Sequence, residues 1–72
     1  MFIHVHPDFL YPGWNVAAFS NSAQNLDEIK DWCYNTYGES NYDAGWIDLI
    51  KHGEVVFKRD SDLDLFVLKW AT

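Results

Sequence analysis

Residues 25–38 read NLDEIKDWCYNTYG, and this stretch predicts an amphipathic helix around which the rest of the fold is organised. Asn25 is a candidate N-cap, and Glu28 follows three residues later, as in a capping box. Gly38 is a natural end, because glycine adopts the left-handed conformation that often terminates helices. Helical spacing places one apolar stripe toward the core: Leu26, Ile29, Trp32, Cys33 and Tyr37.

The segment before this helix predicts one strand and a long connection. Residues 2–6 alternate as a strand does, and Pro7 ends the strand or marks it as an edge. Residues 8–22 contain Pro12 and Gly13 and are expected to form mostly loop, with a short extended piece at 14–19.

The segment after the helix predicts a hairpin. Residues 46–51 and 54–58 flank His52-Gly53, a dipeptide that favours a two-residue primed turn. Ile47 and Leu49 are expected on the core face of the first of these strands.

The last segment has helical spacing, with strand as the rival assignment. Ser61 is a candidate cap for a helix over residues 62–70, whereas Phe, Val and Trp would favour a strand over 65–70. With the helix, residues 1–72 form a single α+β domain. Its predicted order is β-α-β-β-α, with a small, mainly antiparallel sheet and two helices on one face.

Composition excludes several classes of protein. The chain has 72 residues, a formal charge of -6 and 18% aromatic residues, so it is too aromatic for a disordered acidic tail. No apolar run is long enough to predict a transmembrane helix, and the scattered basic residues argue against binding to nucleic acid or to an anionic membrane. Cys33 is the one cysteine, which fits a reducing compartment.

Few side chains suggest chemistry. No catalytic motif is present, so we predict no enzyme and no cofactor. Cys33 lies on the apolar stripe and is expected to be a structural core residue. We predict no resident metal, and the alternative is a site built on His4 and His6, with Asp8 nearby and His52 or an acid completing it.

Surface recognition is the remaining role. So short a chain cannot easily bury thirteen aromatic residues, and exposed Tyr and Trp often anchor interfaces. The alternative is that these rings build a core that lacks a disulfide. The predicted contact residues combine aromatic side chains with an acidic corner: Tyr11, Trp14, Tyr34, Tyr42, Asp60, Asp62 and Asp64.

Several short motifs carry a resemblance to a known group of proteins. These are Trp32-Cys33, Gly38, Trp46, Val56-Phe57-Lys58 and the ending DLDLFVLKW at 62–70. Over roughly residues 26–70 the chain resembles small uncharacterised accessory proteins of tailed bacteriophages, especially T4-like phages of cyanobacteria. The resemblance implies a viral protein that works in the cytoplasm of a bacterial host, and it implies no particular chemistry.

The expected function is therefore binding and modulation of a host protein by a non-catalytic accessory protein. One alternative is an acidic mimic of nucleic acid that inhibits a nuclease or another DNA-binding protein, as some anti-CRISPR proteins do. Another is a small metal-binding protein that uses His4 and His6. A homodimer is left open by the small size of the chain.

Overall fold

The fold is a four-stranded antiparallel sheet with two helices, and the computed structural model describes residues 1–20 and 25–71 of it. Sheet order is β1-β2-β4-β3. The elements in chain order are β1 (His4–Pro7), β2 (Asn15–Ala18), α1 (Leu26–Tyr37), β3 (Trp46–Leu49), β4 (Glu54–Phe57) and α2 (Asp60–Trp70). This confirms the predicted α+β class. Among the described residues, no helix has the length and apolarity needed to cross a membrane.

Both helices pack on one face of the sheet. Ala17, Val55 and Phe57 face them from β2 and β4, and Ile29 of α1 and Phe66 of α2 are fully buried against that layer. Aromatic rings fill much of the space, as at Phe57 and Phe66, whose centroids lie 5.6 Å apart. The apolar stripe predicted for α1 does face this core. Large aromatic rings fill the core volume that a longer chain would fill with more residues.

The N-terminal segment forms two strands instead of one. Val16 pairs with His6 on one side and with Val56 on the other, which places β2 inside the sheet. The extended piece expected at 14–19 is therefore a central strand, and the element order is β-β-α-β-β-α. The first strand begins at His4, two residues later than predicted. The last two residues of the predicted loop 8–22 lie outside the described part of the chain.

The second hairpin does not have the predicted two-residue turn. Leu49 pairs with Glu54, so four residues connect the strands, and the first three form a turn of 3-10 helix. Ile50 is only 2% exposed, because the chain turns its side chain into the core before reversing at Gly53. The register also places Ile47 and Leu49 opposite Val56 and Glu54, on the face away from the helices, so their expected position on the helix-side core was wrong.

Both helices begin without the expected capping bonds. Asn25 precedes α1 as predicted, but its side chain makes no capping hydrogen bond. The final segment is helix and not strand, yet it begins at Asp60, so Ser61 lies inside its first turn and is not the cap. Arg59 occupies the N-cap position, and its carbonyl accepts the backbone N–H of Leu63 at 3.2 Å.

Candidate functional site

The face of the sheet opposite the helices carries a second, smaller apolar cluster. Trp14, Val16 and Val56 are its buried members. Half-buried side chains from two strands and one loop surround them: Tyr11, Ala18, Ile47 and Leu49. In the described part of the chain no helix covers this face, and the cover comes from the loop between β1 and β2 together with Tyr42, which lies between α1 and β3.

Three aromatic rings form the cover itself. The ring centroids of Tyr11 and Trp14 lie 4.9 Å apart, and those of Trp14 and Tyr42 lie 5.2 Å apart with nearly parallel planes. The Lys58 ammonium lies 6.0 Å from the centroid of the Tyr42 ring, within the range of a cation–π contact. Trp14 is only 4% exposed, so it anchors the loop to the sheet and presents little surface.

The loop is fixed by three hydrogen bonds. The backbone N–H of Asp8 donates to the Trp14 carbonyl at 3.0 Å and continues the strand ladder into the loop. The Asp8 carboxylate accepts the backbone N–H of Tyr11 at 2.9 Å. The N–H of Trp14 donates to the Tyr11 carbonyl at 3.0 Å across Pro12-Gly13, where Gly13 has a φ of 86°, as a type II turn requires.

At the tip of this loop two apolar side chains point into solvent. Phe9 is 96% exposed and Leu10 is 80% exposed, although the backbone on both sides of them is hydrogen-bonded. We call these two residues the apolar tip. Phe9 and Leu10 are not among the contact residues predicted from the sequence. Asp8 followed by Pro12-Gly13 is nevertheless a recognisable turn pattern, because an Asp side chain can accept a nearby backbone N–H and Pro-Gly favours a tight turn.

The aromatic residues predicted to contact a partner fall into two places. Tyr11, Trp14 and Tyr42 meet on the open face of the sheet, and of these Tyr42 is the most exposed, at 55%. Tyr34 lies instead on α1, where its hydroxyl donates to the Asp48 carboxylate at 2.9 Å. This hydrogen bond ties α1 to β3. The bond and the charge of Asp48 also raise the pKa of Tyr34.

The acidic corner consists of Asp60, Asp62 and Asp64, and two of these carboxylates bind neighbouring side chains at the start of α2. The Asp62 carboxylate pairs with the Arg59 guanidinium at 3.1 Å, and the Asp60 carboxylate accepts the Asn15 amide at 3.3 Å. The same guanidinium donates to the Ala44 carbonyl at 3.2 Å. Asp64 is exposed. Two of the three carboxylates therefore have structural partners.

His4 and His6 are neighbours on the open face of β1, as the alternation predicted. Their ring centroids lie 5.7 Å apart. The residues suggested to complete a metal site do not reach them: Asp8 is bonded to Tyr11, and His52 lies in the turn between β3 and β4, at the other edge of the sheet. Within the described ranges, no three His, Cys, Asp or Glu side chains are grouped to hold a metal ion.

A cleft of about 390 Å³ lies between the start of α1 and the turn after β3. Asp48 lines it, but both carboxylate oxygens are used, one by Tyr34 and the other by the N–H of Ile50 at 3.0 Å. Cys33, which was predicted to be a structural core residue, is fully buried. Burial, together with the charge of Asp48, raises the pKa of its thiol to about 12. Neither group has the geometry of a catalytic base or thiolate.

No protein-family model, curated protein or solved structure matches this chain significantly.

Proposed function

We propose that this chain is a non-catalytic interaction protein that docks another protein onto its apolar tip. The observation that carries the proposal is the near-complete exposure of Phe9 and Leu10 on a loop whose backbone is hydrogen-bonded. Exposed apolar side chains are common singly, but two adjacent ones on a fixed loop form a surface that a complementary pocket can bury.

The energetics favour this surface as a binding anchor. Full burial of a Phe or Leu side chain contributes about 1.5–3 kcal/mol each. Binding would cost little conformational entropy in the loop, because the hydrogen bonds of Asp8 and Trp14 already fix its backbone. Tyr42, half-exposed beside the loop, extends the surface with an aromatic ring.

The chemistry of the tip favours a partner protein that has an apolar pocket. The loop contributes one charge, that of Asp8, and its carboxylate is turned back onto the Tyr11 N–H. The rest of the chain is acidic, with a total formal charge of -6, so a basic rim around that pocket would strengthen the complex. The resemblance of residues 26–70 to phage accessory proteins supports a bacterial host protein as the partner, modulated in the host cytoplasm.

Affinity capture from a bacterial lysate tests the proposal with matched variants. The double variant Phe9→Ser, Leu10→Ser should lose the captured protein and keep the thermal stability of the parent, since both side chains are solvent-exposed. The control is Leu68→Ser, which removes an apolar side chain that is 73% exposed on α2, away from the loop.

Two outcomes would contradict docking at the tip. A captured protein that binds the parent and the double variant equally would place the contact elsewhere. A captured protein that is released by moderate salt, and is lost on Asp64→Asn but not on Phe9→Ser, would favour the acidic mimic of nucleic acid.

A further inference from the structure

The two edges of the sheet differ in how their backbone groups are satisfied. On β3, the Ser40 hydroxyl donates to the Trp46 carbonyl at 3.4 Å and accepts the Asp48 N–H at 2.7 Å. One side chain thus occupies two of the outward backbone groups that a neighbouring strand would use. Among the described residues, β1 has β2 as its only strand neighbour, so its outer side is the open edge.

The alternation of hydrogen-bonded pairs along β1 shows which backbone N–H and C=O groups the strand presents at this edge. The hydrogen bond from the Asp8 N–H to the Trp14 carbonyl marks Asp8–Trp14 as a bonded pair, and bonded pairs alternate along an antiparallel ladder. His6 and His4 are therefore bonded to β2, while the N–H and C=O of Val5 point outward. The neighbouring outward residue, Pro7, has a carbonyl but no N–H to offer.

The same strand presents a pair of imidazoles. His4 and His6 share the open face with ring centroids 5.7 Å apart, so the two imidazoles lie side by side. His6 Nδ1 lies 2.9 Å from the Pro7 carbonyl, which can only accept, so Nδ1 carries the proton and Nε2 keeps its lone pair. This is the arrangement that orients a metal-binding histidine.

We propose that two copies of the chain pair antiparallel along β1, and that one divalent transition-metal ion binds His4 and His6 of both copies. A structural zinc ion takes four ligands, and one chain supplies two. The second copy supplies the other two and also satisfies the outward backbone of Val5.

The register follows from the spacing of strands. With Val5 opposite Val5 of the second copy, His4 lies opposite His6 of the second copy, and all four imidazoles lie on one face. Residues two apart along a strand are about 6.6–6.8 Å apart, and paired strands are about 4.7–4.9 Å apart. In the plane of the sheet, the two-fold axis then lies about 4 Å from the backbone of each of the four histidines, a span that an imidazole and a metal–nitrogen bond of about 2.0–2.1 Å can cover.

Charge also favours a second copy at this edge. Residues 1–26 contain one charged side chain, Asp8, whereas residues 27–72 carry most of the formal charge of -6. Pairing along β1 therefore brings the nearly neutral parts of two acidic molecules together. Val5, exposed by 43%, gains an apolar neighbour in the same step.

Light scattering and titration calorimetry with zinc chloride test the proposal. In chelator the parent is expected to be a monomer of 8.4 kDa at low micromolar concentration. Zinc should double the mass, with one zinc ion bound per two chains, and chelator should reverse the change. His4→Gln and His6→Gln should each weaken zinc binding at least tenfold and abolish the dimer, whereas His52→Gln, which lies outside β1, should behave as the parent.

A backbone variant separates the metal site from the strand pairing. Val5→Pro removes an outward N–H that β2 does not use, so the monomer should fold. It should bind zinc more weakly, at one ion per chain, without doubling in mass. Zinc binding by the parent without a change in mass, an absence of heat, or a zinc-dependent dimer that survives Val5→Pro or His6→Gln would overturn the proposal.

Discussion

Alkaline pH should unfold this domain, and Cys33 should account for a measurable part of the loss. The thiol is fully buried, and desolvation, with a smaller contribution from the Asp48 carboxylate, raises its pKa from 9.0 to about 12. Above pH 9 the unfolded chain releases this proton, while the native state retains it until about pH 12. The native state then binds more protons than the unfolded state, so stability falls as the pH rises.

The magnitude follows from the width of that window. Each pH unit between the two pKa values removes about 1.4 kcal/mol, so Cys33 should cost the domain roughly 2–3 kcal/mol between pH 9 and pH 11. Burial also raises the pKa of Tyr37, which acts in the same direction above pH 10. A domain of this size has a small free energy of unfolding, so the loss is a large fraction of it.

Urea unfolding at about pH 8 and about pH 11 measures the effect, with Cys33→Ala as the matched variant. The alanine variant keeps Tyr37 and every other titrating group but lacks the thiol. The parent should lose roughly 2–3 kcal/mol more than the variant over this range. Equal losses of the free energy of unfolding in the two proteins would show that Cys33 ionises as easily in the folded chain as in the unfolded one. That result would contradict the burial of the thiol.

Three further predictions concern the loops and the open edge. Ser40→Ala should lower the free energy of unfolding by about 1–3 kcal/mol in urea titrations, because the Asp48 N–H loses its acceptor, and the exposed Ser61→Ala should change little. Gly45→Ala should lower the free energy of unfolding by about 1 kcal/mol or more. The φ of Gly45 is 84°, in the left-handed region, and a Cβ there would lie 2.5 Å from the Arg59 guanidinium. At neutral pH, Cys33 should react with a thiol reagent at least a hundredfold more slowly in the folded chain than in urea, since the side chain has no exposed surface; comparable rates would contradict its burial.

The elements that sequence reasoning located are those with a long, one-sided pattern. The stripe of α1 spans three turns and ends at Gly38, and the structure has the helix at Leu26–Tyr37. The central strand β2 was only suggested, because Asn15–Ala18 is four residues long and includes two alanines, which have no strand preference. Its position between β1 and β4 comes from pairing with distant residues, which local pattern does not encode.

The candidate site was harder to locate because exposure depends on tertiary packing. Trp14 and Phe9 are both large aromatic residues near the N-terminus, yet Trp14 is 4% exposed and Phe9 is 96% exposed. The difference comes from the loop, which turns Trp14 onto Val16 and Val56 and leaves Phe9 at the tip. The acidic corner lies at the start of α2, and the partners of Asp60 and Asp62, which are Asn15 and Arg59, could not be read from the sequence alone.

In the proposed dimer, the hydroxyl of Ser40 would limit further growth of the sheet. A sheet with two open edges can add strands at both ends, and such head-to-tail growth produces filaments. Here Ser40 already binds the Trp46 carbonyl and the Asp48 N–H on the outer side of β3, which favours β1 as the edge for the proposed pairing. In the proposed dimer, each remaining edge of the joined sheet is a β3 strand that carries these two Ser40 bonds, which favours a finite two-fold dimer over a filament.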